Sequence, residues 1–174
     1  MGAKVCFAVC PSDTAIALAA LDAKLEIRGP QKVRRVSVDD FFTTRGNILE
    51  PDELLTHIEI PNPAAGARQE FLKHTLRKPV DFAIASVAAV VTLKAGTCKD
   101  ARIVLGAVAP TPVRAVESEK LLQGKVASEK GIAAAARAAV RDAKPMRLNA
   151  YKMEITKTLV KRALLSILQP VVDV

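Results

Sequence analysis

Residues Glu70–Val87 read EFLKHTLRKPVDFAIASV. An apolar segment carrying Lys73 enters a short basic turn, Arg77-Lys78-Pro79. Asp81 and Phe82 follow, and the chain then re-enters an apolar run to Leu93. Charged residues held between two apolar segments mark a candidate site rather than a plain solvated face. Ala83–Leu93 is nearly all small or β-branched, as a buried strand is, although its alanines also permit helix. Gly96–Lys99 turns the chain, and Arg102–Val108 (RIVLGAV) reads as the next strand. Consecutive strands joined by tight turns predict an antiparallel meander, not a parallel sheet.

Downstream, Pro110 and Pro112 are expected to end the sheet. Three helices are predicted after it: Val116–Leu122, stopped by Gly124; Ser128, as N-cap, to Ala143, stopped by Pro145; and Ala150–Leu168, stopped by Pro170. The last places Ile155, Leu159 and Ala163, with Leu164 and Ile167, on one face and keeps Lys157 and Lys161 away from it. Strands followed by helices give a segregated α+β fold: a three- to four-stranded antiparallel sheet packed with about three C-terminal helices.

Upstream, Ser12 is a good N-cap and Asp13 places negative charge in the first turn of a helix that runs through Ala23. Lys24–Arg28 alternates at period two, Gly29-Pro30 turns, and Val33–Val38 returns as a hairpin. Asp39–Phe42 reads as a helical turn, Thr43–Asn47 as a loop, and Leu54–Ile60 as a further strand. Pro61–Gly66 holds two prolines and a glycine and is the clearest boundary in the chain. The expected domains are therefore residues 1–61 and 66–174. Residues 1–10 open with apolar residues and two cysteines already present, as if a fold were joined part-way through.

The 174 residues hold 26 Lys and Arg against 18 Asp and Glu, a net charge of +8. The excess is dispersed, without a polybasic block, so solubility charge is preferred over an anionic cofactor or an acidic partner. With one Tyr, five Phe and no Trp, base stacking has few platforms, and no nucleic-acid partner is expected. No apolar run reaches membrane-span length, no signal peptide is visible, and three cysteines do not form a secreted disulfide framework; the expected location is cytoplasmic.

Familiar catalytic sets are missing: there is no Gly-x-Ser-x-Gly, no Walker-type loop and no His-Glu-x-x-His. His57 and His74 are too few for a histidine-rich metal site, and His57 reads as surface. Cys6 and Cys10, spaced C-x-x-x-C, lack a second pair and read as buried thiols. Cys98 lies in the predicted turn. No metal ligand is predicted.

Six ordered segments carry a resemblance: PSDTAIALAALDAKLEIRGP, VDDFF, LEPDELLTHIEIP, FLKHTLRKPVDFAIASVAAVV, ARIVLGAVAPTPVRA and NAYK. Together they resemble the FAD-binding (medium) subunit of the molybdenum hydroxylases, the carbon monoxide dehydrogenase, xanthine dehydrogenase and 4-hydroxybenzoyl-CoA reductase relatives. The resemblance implies a remnant of the second FAD lobe at residues 1–61, followed by a domain like the CO dehydrogenase flavoprotein C-terminal domain. The family's first lobe, whose glycines hold the FAD phosphates, has no counterpart here. A fragment, a split gene product and a relative that lost the lobe all fit.

Residue by residue, the resemblance assigns cofactor contacts to Asp13, Leu55 and Lys73, with Ser12, Leu54, Arg77 and Asp81 as weaker candidates. Asp13 would hydrogen-bond the cofactor, Leu55 would pack on the flavin, and Lys73 would lie near its ring. The plainer readings are a helix first-turn acid for Asp13, core for Leu55 and an exposed edge-strand lysine for Lys73. Some relatives carry an iron–sulfur loop ending near Cys6; no cluster is expected in this chain. The implied function is an FAD-subunit module of an oxidoreductase that passes electrons from [2Fe-2S] clusters to FAD and an acceptor. Molybdopterin and [2Fe-2S] would sit only on the partners, a molybdopterin-binding large subunit and a [2Fe-2S] small subunit. A separate polypeptide would carry the N-terminal FAD lobe, and the chain is not expected to act as an enzyme alone. The alternative is a non-catalytic interaction domain that kept the fold and lost flavin binding.

Overall fold

The computed structural model describes residues 5–8, 12–77 and 81–168. Helix α1 (Asp13–Ala20) opens at Ser12, whose hydroxyl accepts from the Ala15 amide, satisfying one of the free amides of the first turn. Strands β1 (Lys24–Arg28) and β2 (Val33–Ser37) form the expected hairpin. Helix α2 (Val38–Phe41) follows, capped by Ser37. The stretch read as a loop contains a small ladder, β3 (Phe42–Thr43) on β4 (Gly46–Asn47). Strand β5 (Leu54–Glu59) then completes a three-stranded sheet in the order β2-β1-β5.

After residues 61–66 come β6 (Ala67–His74), β7 (Ala85–Lys94) and β8 (Thr97–Gly106), the antiparallel meander expected. Two details differ from the expectation. The turn between β7 and β8 is only Ala95-Gly96, both at positive φ (49° and 74°), the two-residue geometry that matches strand twist. Cys98 therefore lies in a strand and is 2% exposed. Pro110 and Pro112 also do not end the sheet: β9 (Val113–Arg114) pairs with β8 and makes a fourth strand, in the order β6-β7-β8-β9.

Helices α3 (Val116–Leu122), α4 (Glu129–Ala138) and α5 (Tyr151–Leu168) follow. Helix α4 stops short of Ala143. From Val140 the backbone changes to tighter i→i−3 bonds, Val140 to Arg137 and Arg141 to Ala138, both at 3.3 Å, so the last turns unwind before Pro145.

The central strand β7 is buried on both sides, which explains why it has so few polar residues. Ala85, Val87, Ala89 and Val91 join Ile103 and Leu105 of β8 and Leu159, Val160 and Leu164 of α5 in one core. The alternate residues Ala88 and Val90, with Val104, face a second core built from Ile16, Leu25, Ile27 and Phe41. Helix α1 thus lies between the two sheets. Both phases of the period-two alternation along β7 are apolar, so the run alone also permits helix; the two cores on its opposite sides establish the strand.

Salt bridges fasten the α1 side. Arg102 of β8 reaches Asp22 and Asp39. Burial raises the Asp39 carboxyl's pKa, and Arg102 opposes the shift. Arg34 clamps Glu53 through two bonds of 2.9 and 2.6 Å, and the Glu50 amide donates to the same carboxylate. These bonds hold the Glu53 pKa, ordinarily 4.5, at about 2. A depressed folded pKa contributes stability above the unfolded value, and that stability is lost as pH falls through the folded one. In urea titrations, wild type is expected to exceed Glu53→Gln in midpoint at pH 7, with the gap closing between pH 4.5 and about 2. A gap independent of pH would show that the clamp does not depend on the ionised carboxylate.

Candidate flavin-facing site

Edge strand β6 alternates between the two sides of the sheet. Leu72 packs on the core shared with α5, so its neighbour Lys73 points the other way, toward α1. The Lys73 ammonium lies 2.6 Å from Asp13 Oδ2. The register sets Lys73 opposite Ser86 of β7, and Ser86 opposite Gly106 of β8. Lys73, Ser86 and Gly106 therefore form a row across the sheet. The start of α1 lies over that row: a Cβ at Gly106 would come within 2.5 Å of Ser86 Oγ and 2.9 Å of Ile16 Cγ2. Gly106 is the gap that lets α1 sit down and carry Asp13 to Lys73.

The Asp13–Lys73 pair is half-open. The side chains are 41% and 26% exposed, so the ion pair itself contributes little to stability. The other oxygen, Asp13 Oδ1, is buried without a hydrogen-bond partner. A carboxylate oxygen shut away from water without a donor costs about 1–3 kcal/mol. Such an atom, beside a fixed cation at a helix N-terminus, fits a cofactor that brings N–H or O–H donors together with negative charge.

The remaining candidates are more dispersed. Leu55 of β5 pairs with Ile27 and packs, partly buried, on the same core as Ile16; it shares the core beneath α1 and belongs to the other sheet. Leu54, on the opposite side of the strand, is 71% exposed. Ser12 is engaged as the N-cap of α1. Arg77 and Asp81 bind each other: the guanidinium donates to both carboxylate oxygens at 3.3 and 3.0 Å, and the Arg77 amide adds a bond of 3.2 Å. The Arg77 contacts lower the Asp81 pKa. This pair closes the loop from β6 to β7, as the turn between them requires; Lys78-Pro79 lies outside the described residues.

His57 is exposed, as expected, and its Nδ1 lies 3.0 Å from Glu26 Oε1. The Cys6 thiol is pushed up by burial, and the Cys6 backbone carbonyl accepts from Asn47 Nδ2 at 2.7 Å; Cys10 lies outside the described residues. Among the described residues no cluster of His, Cys, Asp or Glu could hold a metal ion, and no helix is long and apolar enough to cross a membrane.

Ser86 and Gly106 are the site residues that the sequence reading missed. The signal in the sequence is a lone serine within the otherwise apolar run of residues 83–91; the structure buries it to 2% exposure.

Two protein families match consecutive parts of the chain. The FAD binding domain in molybdopterin dehydrogenase matches residues 1–63, and the CO dehydrogenase flavoprotein C-terminal domain matches residues 70–167. The putative xanthine dehydrogenase FAD-binding subunit of Escherichia coli K12 is 27% identical over 169 residues, covering 94% of this chain and 58% of that protein. The carbon monoxide dehydrogenase medium chain of Afipia carboxidovorans is 39% identical over 120 residues, 66% of this chain and 41% of its own. Quinoline 2-oxidoreductase from Pseudomonas putida 86 superposes with a TM-score of 0.86 at 31% identity, over 97% of this chain and 60% of the other. The chain thus spans between 41% and 60% of the length of these relatives. On the two family matches and the shared fold, the chain belongs to the family of FAD-binding medium subunits of the molybdenum hydroxylases.

Proposed function

We propose that this chain supplies one wall of an FAD site in a molybdenum hydroxylase complex and does no bond chemistry on the substrate. The observation that carries the proposal is the Asp13–Lys73 pair, with Asp13 Oδ1 buried and unsatisfied beside it. Bound FAD would supply reversible electron transfer, and a cation near its reduced, anionic ring favours the reduced form. Lys73 is the cation. Asp13 fixes its ammonium and keeps one oxygen for a donor, and Leu55 contributes apolar surface from β5. Residues 1–61 would form part of the FAD-binding domain, and residues 66–174 the domain that packs on partner subunits. Those partners would be the molybdopterin-binding large subunit and the [2Fe-2S] small subunit of a cytoplasmic complex.

The sequence has no glycine-rich run to grip phosphates. The phosphate grip would come from residues outside these 174, either in a longer protein or in a separate polypeptide. Titrating FAD into the chain alone should give weak or no stoichiometric binding. Co-expression with a glycine-rich lobe from a family member should yield a yellow complex. Stoichiometric FAD on the isolated chain would overturn the one-wall reading. A stable, colourless assembly with the lobe would favour the non-catalytic interaction domain.

A further inference from the structure

A second concavity lies on the opposite side of the four-stranded sheet from Lys73. It is a cavity of about 400 Å³ between the β8–β9 end of the sheet, the start of α3, the unwound end of α4 and the first turns of α5. That volume is in the range of small-molecule sites. Much of the wall is apolar, with Leu105, Val113, Ala139 and Met153 among its residues.

The charges around the cavity are unevenly matched. Its two acids are already engaged: Glu117 pairs with Lys120 and Arg141, and Asp142 pairs with Arg141. Arg114 is held by Glu119 at 2.8 Å. The two lysines that line the cavity, Lys144 and Lys152, have no carboxylate within ion-pair distance among the described residues. Lys152 is half-buried and gives one N–H to the Ala107 carbonyl at 3.0 Å. An ammonium has three donors, so two remain to be directed elsewhere. Ala107 is itself held at φ 62°, in the left-handed region, which is uncommon for a residue with a Cβ. One turn along α5 from Lys152, Thr156 also lines the cavity. It is 2% exposed, and its hydroxyl is buried without a hydrogen-bond partner.

We infer that this cavity binds a small, largely apolar carboxylic acid, with Lys152 holding the carboxylate and the ring or chain lying against the apolar wall. Burying a carboxylate requires a cation that is not already neutralised, and Lys152 is that cation. The unsatisfied Thr156 hydroxyl offers a further bond to a polar atom of the ligand. The site is independent of the flavin wall, because the sheet separates the two.

Isothermal titration of the full chain with 2-naphthoate, and with the uncharged 2-naphthamide, tests the inference. The acid should bind saturably at one site, and the amide about 10-fold more weakly or worse. Lys152→Met should weaken the acid by about 10-fold and bring it level with the amide. Ala139→Phe, which fills the cavity, should abolish binding of both. Absence of saturable naphthoate binding, equal affinity for acid and amide, or a Lys152→Met variant that binds like wild type would each overturn the site. Circular dichroism checks the fold of Ala139→Phe; if that variant does not fold, the half-exposed Lys152 substitution still decides the question.

Discussion

Gly106→Ala should lower stability by about 1–3 kcal/mol and Gly106→Val by more, the usual cost of forcing extra atoms into a filled core. The cause is steric rather than conformational, because Gly106 does not have the positive φ of Gly66 or Gly96. An added Cβ would meet Ser86 Oγ at 2.5 Å and Ile16 Cγ2 at 2.9 Å. Neither neighbour can move away freely: Ile16 is fully buried and Ser86 is 2% exposed. Calorimetry should register a fall in Tm of roughly 2–4 °C for each kcal/mol in a chain of this size. Ser86→Ala combined with Gly106→Ala removes the nearer clash and should recover part of the loss, a coupling that a double-mutant cycle measures. The contact with Ile16 remains, so recovery should be incomplete. Additive effects of the two substitutions would mean that the row across the sheet is not packed as described. Because Ile16 lies one turn beyond Asp13, a side chain at Gly106 should also displace Asp13 from Lys73 and weaken flavin retention in a reconstituted complex.

That dependence marks the limit of what could be read from residues alone. Local signals were sufficient for most elements: the Ser12 and Ser128 caps start their helices, accepting from the Ala15 and Gly131 amides, and the Glu70–Leu93 pattern gives two neighbouring strands. Sequence and structure part where a local cue competes with a distant partner. Prolines 110 and 112 suggested the end of the sheet, but the chain after them returns to pair with Val104 and Leu105. The Ala95-Gly96 turn is tighter than a glycine-centred guess implies, because cross-strand pairing of Lys94 with Thr97 leaves room for only two residues. The double-sided burial of β7 was present in its composition, but which element covers each face depends on tertiary packing. Asp13 and Lys73 each stand out in the sequence, yet nothing local joins residues 60 positions apart. Their contact follows from register, from the alternation of β6 and from the missing side chain at Gly106.

Lys73→Met is expected to leave the fold nearly unchanged and to weaken FAD binding in the reconstituted complex by roughly 10- to 100-fold, the value of one charge-assisted hydrogen bond. The fold should tolerate it because β6 is an edge strand and the lost ion pair is partly solvated, so its contribution is at most about 1 kcal/mol. Asp13→Asn separates charge from geometry. It keeps the shape, removes the anion, and leaves Lys73 without its counter-charge. If Lys73 faces the reduced ring, the two variants should move the bound flavin's reduction potential in opposite directions. Lys73→Met should lower it, because a cation near the reduced flavin is lost; Asp13→Asn should raise it, because that cation is no longer neutralised. A merely structural pair would shift urea midpoints alike in both variants and leave the potential unchanged. Spectroelectrochemical titration of the two complexes reads the sign directly. Potentials that shift in the same direction, or affinities equal to wild type, would return Lys73 to an edge-strand lysine whose partner is Asp13.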